Sequence, residues 1–263
     1  MIRNFVQIHR SDGPIIAAAI HNGHELRSDI ADLIQLSSME REREEDPHTS
    51  GWTVIGDARI IVNRSRFEVD VNRSRNRAVY IEPEDAWGLL LYREKPARAL
   101  ISESLAEYDH FYKEANTVLR KIKDSYDHFV LLDIHSYNHR RDGINAPHAD
   151  PETHPEVNIG TGTIRSPIWR SLVERFISEL REFDFLGRNL DVRENIIFRG
   201  GYFPRWINRK YSQTGCAIAI EFKKFWMDEW TGEIFPREYD AILECLKSTI
   251  TDTHLRIVDM VRT

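Results

Sequence analysis

Histidines and carboxylates at the ends of apolar runs are the side chains of this sequence best suited to chemistry. Phe129 to Ile134 holds five apolar residues in six, interrupted by Asp133, and leads straight into His135-Ser136. That pattern describes a buried strand whose end delivers an imidazole to the sheet edge, where open α/β sheets place their chemistry. His135 is there as a metal ligand or as a general base. Pro14 to Ile20 is a second apolar run, and it ends at His21-Asn22-Gly23. A catalytic zinc takes three His or carboxylate ligands and keeps one position open. His21 and His135, completed by Glu25, Glu45 or Asp46, would meet that need. A single strand-end histidine more often bonds to backbone; two at equivalent ends, with acids near, favour a metal.

Other polar residues join them. In a strand, positions i and i+2 share a face, so Asp133 lies beside His135, either orienting that imidazole or bonding to backbone. Arg64, Arg66, Arg73 and Arg75 crowd a short span that also holds Asn72. Guanidinium groups grip carboxylates in bidentate fashion, so the cluster suits an anionic substrate, unless Glu68 and Asp70 simply pair with it on a solvated strand. Glu221 closes the apolar run Ala217 to Ile220. Poor solvation there raises a carboxyl pKa toward the range useful for proton transfer; a salt bridge to Lys223 or Lys224 is the alternative. Gly160-Thr161-Gly162 and Gly200-Gly201 either allow close backbone approach to a ligand or are ordinary turns.

The elements that must position these residues alternate between strand and helix. Pro14–Ile20, Arg59–Val62, Arg66–Val71, Phe129–Ile134, Asn195–Phe198 and Ala217–Phe222 read as strands. Leu26, Ile30, Leu33 and Ile34 recur at helical spacing and predict a helix toward Arg43, stopped at Pro47. Leu100–Ile122, Pro167–Leu180 and Tyr239–Val261 predict three more. Alternation of this kind favours a mostly parallel sheet covered on both faces.

Composition narrows the function classes. A chain of 263 residues, 41% hydrophobic and 30% charged, can bury the core of one large α/β domain. The net charge of -6 argues against nucleic-acid binding. The run PIIAAAI falls far short of the ~20 residues of a membrane span, and Arg3, His9, Arg10 and Asp12 interrupt any signal peptide. Cys216 and Cys245 are expected as buried thiols of a cytoplasmic protein.

In order along the chain, IHNGH, REEDPHT, SRFEVDVNRSR, DIHSYNHR, VNIGTGT and RGGYFPR together resemble the N-formylglutamate amidohydrolase family. That family is distantly similar to the zinc carboxypeptidases. The resemblance implies a single-domain αβα sandwich over 1–263, with a mixed, mostly parallel central sheet. It implies one divalent metal, Zn²⁺, held by His21, an acid and His135. The carboxypeptidase pattern places a Glu three residues after the first His; here His24 stands there and Glu25 comes next. The acid is therefore expected from the REEDP motif, Asp46 first, with Glu45 and Glu25 behind it. Arg66 is expected to polarise the scissile carbonyl and Glu221 to activate water. Asn72 and Arg73 are expected to bind a substrate carboxylate, with Tyr202 donating to the same anion. The implied substrate is a small anionic N-acyl amino acid, N-formylglutamate or a relative, with no nucleic-acid or membrane partner. A peptide, a side-chain amide or a guanidino group is the nearby alternative. A non-catalytic carboxylate-binding relative is the other, although retention of His21, His135 and Glu221 favours an enzyme.

Overall fold

The computed structural model describes residues 5–10 and 12–262, the last eleven of them by backbone only. Seven strands form one sheet: β1 (Val6–Arg10), β2 (Ile15–Ala19), β3 (Ala58–Val62), β4 (Phe129–Tyr137), β5 (Val157–Gly160), β6 (Val192–Glu194) and β7 (Gly215–Lys223). Their order is β1-β3-β2-β4-β7-β5-β6. The β3-β2, β2-β4, β4-β7 and β5-β6 pairings are parallel, and β1-β3 and β7-β5 are antiparallel. The sheet is thus mixed and mostly parallel, as the strand–helix alternation requires.

Alternate residues of the central strands enter opposite apolar layers. Ile15, Val130, Leu132, Ile218 and Ile220 pack with the helices Arg170–Glu182 and Pro236–Arg262. Ile16, Ala18, Phe129, Leu131 and Ala217 pack on the other face with the helices Arg98–Tyr126 and Tyr202–Lys210. All nine residues of β4 are buried, which explains its near-continuous apolar run. Within Arg98–Tyr126 the buried Tyr108, Phe111, Ala115, Val118, Leu119 and Ile122 recur every three or four residues, so one stripe faces the sheet. Both cysteines are free and buried. No helix among the described residues is long and apolar enough to cross a membrane.

Several expected elements differ. The helix expected from Leu26 to Arg43 is two short ones, Ser28–Ala31 and Ser38–Glu44. Between them the backbone pairs with the Leu91–Arg93 segment, as Gln35 N–H donates to Leu91 O at 2.9 Å and Arg93 N–H to Leu33 O at 2.9 Å. Ser37 and Glu40 then form a capping box that starts the second helix. The apolar spacing of Ile30 and Ile34 reports a shared small core with Phe67, Tyr80 and Leu91, not a continuous helix.

Arg66–Val71 is a turn rather than a strand: Glu68 N–H donates to Ser65 O at 3.0 Å, and Phe67 N–H to Ser65 Oγ at 3.2 Å. Phe67, Val69 and Val71 are buried as the alternation requires, but so are Glu68 and Asp70. The strand expected at Asn195–Phe198 lies three residues earlier, because Asn195 adopts a left-handed conformation (φ 57°) that ends it. Apolar periodicity does not predict the strands β1 and β5 or the helix Tyr202–Lys210, which follows two glycines and contains Pro204.

Candidate metal centre and active-site cavity

The parallel pairings β2-β4 and β4-β7 bring three C-terminal strand ends to one sheet edge. Ala18 lies opposite Asp133, and His135 lies opposite Glu221. On β4 and β7, Asp133, His135 and Glu221 share a parity with Phe129, Leu131 and Ala217, so their side chains leave the sheet on the same face. His21 follows β2 through a turn that only glycine allows at Gly23. A β-carbon there would lie 2.1 Å from the carbonyl carbon of Asn63.

Asp46 arrives from the loop after Ser38–Glu44. Its N–H donates to His21 O at 2.9 Å, and Thr49 Oγ1 donates to its carbonyl at 2.7 Å. The Asp46 carboxylate then stands between the imidazoles: Oδ2 is 2.8 Å from His135 Nδ1 and 3.5 Å from His21 Nδ1. One ligand atom from each of these three buried residues lies within 4.8 Å of the others. Of the alternative acids, Glu45 turns away to His24 Nδ1 at 2.5 Å and to Ser65 Oγ, and Glu25 is exposed.

The far nitrogens of both rings face carboxylates. His21 Nε2 bonds to Asp70 Oδ1 at 2.8 Å, and His135 Nε2 lies 3.0 Å from Asp133 Oδ2. This leaves both Nδ1 atoms facing inward and adds basicity to the rings, the arrangement metal-bound histidines use. Asp133 therefore faces His135 rather than backbone, but its alignment falls short of a hydrogen bond. Both Asp133 oxygens and His135 Nε2 are buried without a hydrogen-bond partner. Burial opposes the charge on Asp46 and Asp70, yet imidazoles hold the first carboxyl well below the usual range, and His21 with Arg66 does so for the second. Burial likewise opposes a proton on His135, but Asp133, Glu221 and Asp46 hold it strongly. Two inward ring nitrogens and a carboxylate oxygen, all buried and within 4.8 Å of one another, fit a divalent cation.

A cavity of about 290 Å³ opens above this centre, lined among others by Arg66, Asn72, Trp87, Glu221 and Lys224. Burial, reinforced by Asp46 and Asp133 and opposed by His135, pushes the Glu221 carboxyl up to about 7. Arg66 is held by Asp70 Oδ2 at 3.0 Å and lies over the Trp87 ring at 4.8 Å. Tyr80 OH also donates to Asp70. The Asn72 side chain is built into its surroundings. Its Oδ1 accepts from Phe203 N–H at 2.9 Å, capping the helix Tyr202–Lys210, and Gly201 passes so near that a β-carbon would lie 2.2 Å from that oxygen. Its Nδ2 has no acceptor among the described residues, so it is available at the cavity wall.

Arg73 and Tyr202 are not brought to the cavity lining. The Arg73 guanidinium lies over the Tyr80 ring at 5.2 Å and donates to Asp85 O at 3.3 Å. Tyr202 packs against Tyr112, with ring centroids 6.0 Å apart, because its residue opens a helix on the outer layer. Sequence reasoning missed the functional potential of Asp70 and Lys224. For Asp70 the sequence suggests only a salt bridge to the arginine cluster, although its place two residues before Asn72 is a usable signal. Lys224 carried no signal beyond its nearness to Glu221.

Among curated proteins none matches this chain. Among solved structures, an N-formylglutamate amidohydrolase from Ralstonia eutropha JMP134 superposes with a TM-score of 0.74 at 17% identity, covering 98% of both chains. A gene product of Agrobacterium tumefaciens superposes at 0.65 with 13% identity, over 95% of this chain and 96% of that one. A metallo-carboxypeptidase from Burkholderia cenocepacia is more distant, at 0.38 and 14% identity over 58% of its own length. The family model for N-formylglutamate amidohydrolase matches residues 13–226, and the chain belongs to that family.

Proposed function

We propose that the protein is a metal-dependent amidohydrolase that cleaves the amide bond of an N-acyl amino acid, N-formylglutamate or a close relative. The observation that carries this reading is the convergence of His21 Nδ1 and His135 Nδ1 on Asp46, beside a Glu221 carboxyl raised to about 7. His21, Asp46 and His135 would hold one divalent cation, and two imidazoles with one carboxylate suit Zn²⁺. Such a cation, when bound, lowers the pKa of water and polarises a carbonyl oxygen.

The remaining work falls to the chain's own groups. Glu221 as a carboxylate accepts a proton from the attacking water and, once protonated, delivers it to the leaving amine nitrogen. A carboxyl near neutral pKa does both steps with little driving force lost. Arg66, fixed by Asp70 and stacked on Trp87, donates to the oxygen that gains charge as the carbonyl is attacked. Asn72 Nδ2, held in place because Oδ1 caps a helix, donates to the substrate α-carboxylate and positions the amide. Arg73 supports Asp70 from behind, 3.7 Å from Oδ2, instead of clamping substrate.

Metal analysis of the purified protein tests this reading, together with release of formate from N-formylglutamate. About one divalent metal per chain is expected, with large loss of metal and turnover in His135→Ala. Full metal retention in that variant, or hydrolysis indifferent to a chelator, would sink it.

A further inference from the structure

Lys224 follows β7 directly and is 1% exposed, yet it lines the cavity. Its ammonium donates to Arg43 O at 2.6 Å and to Glu45 O at 2.9 Å. An ammonium has three N–H donors, and the third has no acceptor among the described residues. Nor does any carboxylate among them form an ion pair with it. The acids around it are already engaged. Asp46 faces the two imidazoles, and Glu44 accepts from Arg43 at 3.1 Å and Arg141 at 3.1 Å. Glu229 accepts from Arg43 at 3.0 Å and from the backbone N–H of His139 at 2.7 Å. Burial pulls the lysine down to about 8, while Asp46, Glu44 and Glu229 oppose that shift, so the group is charged at neutral pH.

A buried cation with no carboxylate in direct contact is costly, and in a site of low dielectric it attracts an anion strongly. The two carbonyls fix the ammonium before any ligand arrives, so little ordering remains to be done on binding. An amino acid with one carboxylate, held at Asn72, leaves Lys224 unmatched, whereas a dicarboxylic amino acid supplies the missing charge. We propose that Lys224 is the receptor for the side-chain carboxylate of an acidic N-acyl amino acid and selects glutamate-type substrates over neutral ones. This rests on the hydrolase reading above for the identity of the substrate. Formate, the other product, offers the same carboxylate chemistry.

Calorimetric titration of the metal-loaded protein with L-glutamate, L-glutamine and formate tests it. L-Glutamate is expected to bind at least about tenfold more tightly than L-glutamine, since only one charge-assisted contact separates them. In Lys224→Gln, which still donates to carbonyls, glutamate affinity is expected to fall about tenfold to a hundredfold, with glutamine changed less than about threefold. Metal content should be retained. Equal affinities in the wild type overturn the proposal. So does parallel loss of both ligands with loss of metal, which marks Lys224 as a prop for the Glu45-Asp46 backbone. Formate binding that depends on Lys224, without any preference for glutamate, overturns the side-chain assignment. Should the glutamine variant fail to fold, Lys224→Met is read the same way. A glutamate preference without hydrolysis of N-formyl substrates would sink the hydrolase reading alone; hydrolysis without preference would sink this one alone.

Discussion

Two regions meet at the cavity and are held in opposite ways. The ends of β2, β4 and β7 are fixed by backbone ladders within an apolar sandwich, so His135 and Glu221 stand level because the strands are in register. Across from them, the segment between β3 and the helix Arg98–Tyr126 holds Arg66, Asp70 and Asn72 with no strand of its own. Buried charge takes the ladder's place. Glu68 and Asp70 are both 0% exposed. Glu68 accepts from the Arg27 side chain at 2.7 Å and from Arg27 N–H at 2.8 Å. Asp70 accepts from His21, Arg66 and Tyr80. A ladder positions side chains through many weak, redundant bonds. A buried ion network does so through a few strong ones, and loss of any member leaves a desolvated charge behind.

The contrast can be broken most directly at Glu68. Glu68→Ala should destabilise the fold by about 3 kcal/mol in denaturant unfolding, since it leaves the Arg27 N–H without its acceptor and removes the buried acid that Arg27 and Arg64 share. A loss below about 1 kcal/mol would mean that the apolar contacts of Phe67, Val69 and Val71 hold the segment. On the ladder side, Glu221→Gln should cost turnover about 10²-fold or more while metal content and melting stay near wild type. Wild-type hydrolysis by that variant would remove Glu221 from the chemistry.

The pH profile gives the next effect in size. Glu221 acts as a carboxylate, so activity is lost as pH falls and the group takes its proton. The acid limb of kcat/KM should lie at about 7 or below, drop about tenfold per pH unit, and vanish in Glu221→Gln. A limb that survives there belongs to another group. The smallest effect is expected at Ser37, whose capping box starts the helix leading to Asp46. Ser37→Ala should cost about 1 kcal/mol of stability and leave turnover intact, because Asp46 is tied separately to His21 and Thr49. A marked loss of metal in that variant would show that the helix, not those ties, sets Asp46.

The ladder region was legible from sequence and the ion-held region was not. Apolar runs with alternation have few solutions, and β2, β4 and β7 lie where those runs stand. Hydrophobic spacing failed between Leu26 and Arg43 and between Arg66 and Val71. There it records burial alone, and burial does not require a helix or a strand.

The division follows from the range of the forces. Local patterning by itself determined the alternating α/β layers, the buried central strands and the delivery of His21, His135 and Glu221 to strand ends. These follow from side-chain periodicity and from burying apolar surface. Only the tertiary structure decided that Asp46, not Glu45 or Glu25, faces the two imidazoles. It also placed Arg73 behind Asp70 and left Lys224 a buried cation at the cavity wall. Each of those outcomes depends on which charged groups meet across long chain separations, and a charge's partner is set by where the whole chain folds, not by its neighbours in sequence.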